Sequence, residues 1–136
     1  MPTILNAYLR FGTSAREAMS FYQSALGGDL TLNPYRDSGV PHDPAIDDLV
    51  LHGMLTTPGG LVLMGADSGR EEDAPVGVSL ALSGDDDIEL TGYFDQLSAG
   101  GTVQEPLTRA PWGDTFGMFI DKFGVSWMVS ISAGGR

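Results

Sequence analysis

From Ile4 to Phe11 the chain sets Ala7, Leu9 and Phe11 on one face and Asn6, Tyr8 and Arg10 on the other. A period of two predicts a strand. The period then changes. Ala15, Ala18, Phe21, Tyr22 and Ala25/Leu26 recur at helical spacing. Ser14-x-x-Glu17 has the form of a capping box, in which each side chain satisfies the other residue's free backbone N–H. Gly27-Gly28 ends the helix, because glycine takes the left-handed position beyond a helix at little cost. Three strand-like runs follow, at about 29–34, 48–56 and 60–66, and Thr57-Pro58-Gly59-Gly60 suits a hairpin between the last two.

The same order then recurs. One constant shift takes Leu9 to Leu82, Phe21 to Phe94, Gln23 to Gln96 and Gly27-Gly28 to Gly100-Gly101. A second, smaller shift takes His52-Gly53-Met54-Leu55 to Phe116-Gly117-Met118-Phe119, Gly60 to Gly124 and Met64 to Met128. Two matching blocks in the same order point to a duplicated module, with a shorter middle loop in the second copy. The second helix has Asp86-x-x-Glu89 at its start, a stripe of Ile88, Tyr93, Phe94 and Leu97, and Gly100-Gly101 at its end. Its strands are expected at about 102–106, 115–121 and 124–131, with a turn at Lys122-Phe123-Gly124.

The predicted fold is therefore α+β: two tandem βαβββ modules in a single domain over 1–136. Module one covers 4–66, a polar linker 67–76, and module two 77–132. In each, one helix covers one face of a small, mostly antiparallel sheet. The two free faces are expected to form a cup, with the helices on the outer side, and a cup is a natural small-molecule site.

Composition changes this picture mainly by exclusion. With 42% hydrophobic and 18% charged residues the chain reads as globular. No apolar run approaches the ~20 residues of a membrane span, and no signal peptide is evident. The absence of cysteine excludes disulfides, thiolate metal sites and cysteine nucleophiles, so a cytoplasmic location is the default. A net charge of −11 repels nucleic acid and anionic membranes and attracts small cations. It also keeps a protein soluble, which is the plainer reading. No P-loop, GxGxxG, GxSxG or HExxH motif is present. Asp85-Asp86-Asp87 precedes a helix and reads as capping rather than as a calcium cluster.

The candidate chemistry is sparse. His52 shares its strand face with Val50 and Met54, and the repeat pairs it with Phe116. It is the candidate catalytic residue, as a general base, or else a hydrogen-bonded space filler. Asp114, Glu105 and Asp121 are possible carboxylate partners for it. His42, among Pro41, Asp43 and Pro44, reads as merely exposed. Tyr8, Trp112, Phe116, Met54, Met64 and Met128 form a soft apolar set suited to a flat or aliphatic ligand. Met118 and Trp127 read better as core or interface. The long connection from Pro34 to Asp48 is expected to cover the mouth of the cup and to supply Tyr35 or Arg36 to a ligand.

The segments YLRFGTSAREAMSFYQSALGG, LHGML, GGLVLMGAD and PWGDTFGMFIDKFGVSWMVSI resemble the vicinal oxygen chelate superfamily. The likeness is to its PhnB-like branch, also labelled demethylubiquinone methyltransferase-like, within the glyoxalase/bleomycin resistance protein/dioxygenase group. The resemblance covers nearly the whole chain. It implies paired βαβββ modules, usually in a homodimer, and a divalent metal held by His and Glu from the first and last strands of each module. Carried across, those positions fall at Asn6, Met64, Ser79 and Met128. Asn and Ser bind such ions weakly and thioethers prefer soft ions, so no metal or other cofactor is expected.

The expected ligand cup comprises Asn6, Tyr8, His52, Met54, Met64, Ser79, Trp112, Phe116 and Met128. Three functions stay open: metal-free binding of a small molecule, cationic or aromatic, for sequestration or resistance; a metal-dependent lyase or isomerase with unusual ligands around His52; and a structural dimeric module with a vestigial site.

Overall fold

The computed structural model describes residues 5–70, 78–111 and 113–133. Two compact units divide the chain, Met1–Pro75 and Val76–Arg136. The first contains β1 (Ala7–Phe11), α1 (Ala15–Leu26), β2 (Asp29–Pro34), β3 (Val50–Thr56) and β4 (Val62–Asp67). Its sheet runs β1-β4-β3-β2, with β1 parallel to β4 and the other pairs antiparallel. The second contains β5 (Ser79–Gly84), α2 (Asp87–Ser98), β6 (Thr102–Arg109), β7 (Thr115–Ile120) and β8 (Ser126–Ile131), in the order β5-β8-β7-β6 with the same senses. The fold is α+β, two tandem βαβββ modules. Among the described residues no helix is long and apolar enough to cross a membrane.

Pleating decides which side chains meet each helix. In the first unit Leu9, Phe11, Leu55 and Leu63 are buried together with Met19 and Tyr22 of α1. Gly65 makes room for them, since a Cβ there would stand 3.0 Å from the Met19 sulfur. In the second unit Phe94 of α2 meets Phe119 edge-on at 5.0 Å, and Phe119 stacks on Trp127. The Trp127 indole N–H donates to the buried Asp121 carboxylate at 2.8 Å. The same carboxylate accepts the Phe123 and Val125 N–H groups, which fixes the β7–β8 turn.

Several sequence expectations are corrected. Ser14 is the N-cap of α1 but makes no side-chain cap bond, because its backbone (φ −108, ψ 11) is not in the extended cap conformation. The Ala15 N–H instead donates to Asp67 of β4 at 2.9 Å, and the other Asp67 oxygen accepts the Val50 N–H at 2.9 Å. Met19, not Phe21, completes the buried stripe of α1. In α2 the Asp86 cap forms as the spacing predicts, accepting the Glu89 N–H at 3.0 Å. Ile88, however, is 88% exposed, and Leu90 occupies the core instead. β6 continues past Pro106 to Arg109, which is tolerated because β6 is an edge strand and Pro needs no ladder donor there.

The long middle connection of the first unit is a folded loop with short 3-10 turns at Tyr35–Asp37 and Pro44–Ile46. The Tyr35 N–H donates to Leu49 and the Arg36 N–H to Asp47. Tyr35 and Arg36 serve this loop: the Tyr35 hydroxyl donates to the Asp67 carbonyl at 3.1 Å, and Arg36 pairs with Asp48 at 2.6 Å. That pairing holds the Asp48 carboxyl below its usual range. His42 is not merely exposed. Its ring nitrogens lie 2.6 Å from the Val40 carbonyl and 2.6 Å from the Asp47 carboxylate, and its side chain is 14% exposed. Both partners only accept, so both ring nitrogens are satisfied only when both carry protons. The Val40 carbonyl, then Asp47, raise its pKa accordingly.

Candidate functional site

On each sheet the face turned from the helix carries the candidate residues. In the first unit Tyr8 is registered with Met64, and Met64 with Met54, so three candidates form one row across β1, β4 and β3. His52 lies two residues before Met54 on the same face. Its ring centroid is 6.1 Å from that of Tyr8, the planes tilted by 47°. The imidazole has no hydrogen-bond partner among the described residues. Asn6, half-buried, immediately precedes β1.

The second unit repeats the row with different side chains. Ala81 is registered with Met128, Met128 with Met118, and Met118 with Glu105. Phe116 lies two residues before Met118, where the first unit has His52. Met118 is thus on the free face rather than in the core, whereas Trp127 is a core residue. The Ser79 and Ser126 hydroxyls are hydrogen-bonded at 2.8 Å. Trp112 lies outside the described residues, as do 71–77 of the expected linker.

A cleft of about 390 Å³ opens on this free face, lined by Glu105, Thr108, Arg109, Ala110, Pro111, Phe116 and Met118. The irregularity of β6 makes it. Pairing with β7 slips between Val103 and Glu105 and again between Glu105 and Thr108, on either side of Glu105, the second slip spanning Pro106. Such bulges re-aim side chains at a sheet edge. The Ala110 N–H donates to the Asp114 carbonyl at 2.7 Å and ties down the end of the strand. A second, more polar cleft of about 310 Å³ is lined by Asp85, Asp87, Arg109, Gly113, Thr115, Ile131, Ser132 and Ala133.

Sequence reasoning found Phe116 but missed Thr108, Arg109, Ala110 and Pro111 as a group. The available signal was the two prolines, Pro106 and Pro111, bracketing a short run that contains one of only seven basic residues.

The metal that the resemblance implies does not fit the residues at its positions. Asn6 and Ser79 are neutral, weak donors, the Ser79 hydroxyl is already paired, and Met64 and Met128 offer thioethers. Among the described residues no three His, Asp or Glu side chains are grouped to hold an ion. Asp121 is committed to the turn, and one Asp114 oxygen accepts the Ala133 N–H.

With this geometry the comparisons with known proteins agree. The protein PA1353 from Pseudomonas aeruginosa has a crystal structure that matches with a TM-score of 0.85 and 36% identity, over 97% of this chain and 99% of that one. The PhnB protein from Bacillus cereus matches with a TM-score of 0.75 and 27% identity, over 96% and 100%. The protein YjdN from Escherichia coli K12 is 25% identical over 138 residues, 93% of this chain and 94% of the relative. The model of the Glyoxalase/Bleomycin resistance protein/Dioxygenase superfamily matches residues 4–129. A match of that extent, on two βαβββ modules, means that this chain belongs to the glyoxalase/bleomycin resistance protein/dioxygenase superfamily.

Proposed function

We propose that this protein binds a small organic molecule without a metal ion, as a sequestering or resistance protein, and that the molecule seats on the free face of the second module. The observation that carries this reading is the cleft of about 390 Å³ over Phe116 and Met118. Its size lies within the range of small-molecule sites. A flat aromatic face beside a flexible thioether accommodates an aromatic or aliphatic group. Glu105 on the rim and a net charge of −11 favour a ligand with a cationic group. The donors at the metal positions of the fold favour binding over metal-assisted chemistry.

The test is a thermal stability screen of the full chain with organic cations and aromatic amines, followed by mass analysis of the recovered ligand. A ligand at 100 times its Kd stabilises by about 2.7 kcal/mol. The expected result is a raised melting temperature, lost in Phe116→Ala, with the ligand recovered unchanged. A second reading, a lyase or isomerase, is favoured by the Tyr8–His52 ring pair, whose imidazole has no hydrogen-bond partner among the described residues. Conversion of the ligand by the native chain, abolished in His52→Ala, would establish that reading instead.

A further inference from the structure

Glu105 and Thr108 are three residues apart, an odd spacing that in a regular strand turns two side chains to opposite faces. β6 is not regular there. Glu105 is registered with Met118 and Thr108 with Phe116, so three steps on β6 span two on β7. One residue of the pair Pro106-Leu107 is therefore extra, as in a bulge. Leu107 faces the helix, since its side chain lies 3.1 Å from where a Cβ of Gly117 would stand, beside the Phe94 ring. Thr108, the next residue, returns to the free face with Glu105, Phe116 and Met118, and all four line the cleft of about 390 Å³. Arg109 is registered with Thr115, one step from Phe116, so its side chain belongs to the helix face.

The polar side chains on this stretch of the free face offer acceptors. The Glu105 carboxylate has no hydrogen bond or ion pair among the described residues. The Thr108 hydroxyl spends its proton on the Pro106 carbonyl at 2.8 Å, which leaves its oxygen to accept. The Ala110 N–H is committed to the Asp114 carbonyl, and Pro111 has no N–H. A ligand that satisfies both acceptors therefore brings two donors. Met118 and Phe116 are two steps apart, so at about 3.3 Å per residue the rows they share with Glu105 and Thr108 are about 7 Å apart. A benzene ring with a polar group at each end matches that spacing and lies over the Phe116 ring and the Met118 thioether.

We infer that the cleft selects a primary arylalkylamine with a second hydrogen-bond donor at the far end of its ring: the ammonium meets Glu105, and a phenolic hydroxyl or similar donor meets Thr108. This rests on the proposed binding role of the same cleft and adds the class of ligand. An acid of the same shape meets Glu105 with like charge and is rejected. An amine without the second donor keeps the bond to Glu105 and loses the one to Thr108, which is the weaker because neither partner is charged.

The test uses three probes of one shape: tyramine, phenethylamine and 3-(4-hydroxyphenyl)propanoate. Each is titrated into the isotope-labelled full chain in about 0.15 M salt, where screening confines the pull of the chain's overall charge to about 8 Å. Binding is followed by the amide signals of Phe116 and Met118. Tyramine should bind about five-fold more tightly than phenethylamine and at least about ten-fold more tightly than the acid. Thr108→Val should bring tyramine down to the affinity of phenethylamine and leave phenethylamine unchanged. Glu105→Gln should weaken both amines about ten-fold and leave the acid no weaker. Both positions are exposed, so melting temperatures should stay at the native value and confirm that the variants fold. Equal binding of the two amines, or of the acid and the amines, with shifts at Phe116 and Met118, overturns this inference and leaves the apolar cleft standing. No shift at Phe116 or Met118 with any probe overturns both.

Discussion

The buried carboxylate of the first module, Asp67, stands at the end of β4; that of the second, Asp121, stands at the end of β7. The registers make the exchange explicit. Asp67 is paired with Phe11 at the end of β1, and the matching place beside Gly84 is held by Ile131. At the β3–β4 turn the first module uses Thr57, whose hydroxyl accepts the Leu61 N–H at 3.0 Å, where the second uses Asp121. The start of α1 is satisfied from a distant strand and the start of α2 by its own Asp86. A shared backbone dictates where donors must be satisfied. It leaves open which residue does so.

The largest effect is expected from Asp67→Ala. It strands the N–H groups of Ala15 and Val50, each bonded to a buried charge, and should cost about 4 kcal/mol of stability in urea denaturation. Asp86→Ala, at the matching helix start, should cost only about 1 kcal/mol. Equal losses would break the contrast between distant and local capping. Asp121→Thr imports the first module's solution into the second. Thr supplies one acceptor where three donors converge, so about 3 kcal/mol should be lost. Trp127 fluorescence should change in the folded state, and an unchanged spectrum would mean that the indole bond contributes little.

A finer test lies in the matched glycines Gly53 and Gly117. A Cβ at Gly117 would stand 2.6 Å from the Phe94 ring, with the Glu105 carbonyl at 3.1 Å; at Gly53 its nearest neighbour is the end of Leu32 at 2.9 Å. A leucine methyl moves aside more easily than a ring packed on Phe119. Gly117→Ala should therefore cost about 2 kcal/mol and Gly53→Ala under about 1 kcal/mol, both read from thermal melts. The reverse order would show that the first core is the tighter.

The smallest effect concerns the loop that only the first module has at this length. The Val40 carbonyl and the Asp47 carboxylate raise the pKa of His42 above its ordinary 6.5, so the folded chain holds this proton more tightly than the unfolded chain. The stabilisation is fully present below about pH 6.5 and fades as the pH rises through the folded value. A proton NMR titration of the His42 ring should read a midpoint above 6.5, and Asp47→Asn should lower it. A midpoint that ignores Asp47→Asn would remove the carboxylate from the account.

The duplication was legible because Phe21/Phe94 and the paired glycines sit at fixed offsets, and the sheet registers follow those offsets. Ser14-x-x-Glu17 misled because the true acceptor, Asp67, lies at the far end of the module, and local spacing carries no trace of it. Ile88 misled because a helical stripe has two possible edges, and packing against the sheet chose the one with Leu90. The free-face row of Tyr8, Met54 and Met64 followed from alternation alone. The cleft did not, because its walls depend on two slips in the pairing of β6, and strict alternation cannot place residues beyond a slip.

The parallel pairing of β1 with β4, repeated between β5 and β8, bears on how the protein is made. The first strand of each module finds its neighbour only when the last has been synthesised: Ala7 waits for Leu63, and Ser79 for Ser126. A growing chain can already close the β2–β3 hairpin against α1, since those contacts are more local. Until β4 emerges from the ribosome, Leu9 and Phe11 have no sheet to join. In each module the pairing of the first strand therefore depends on the last strand made.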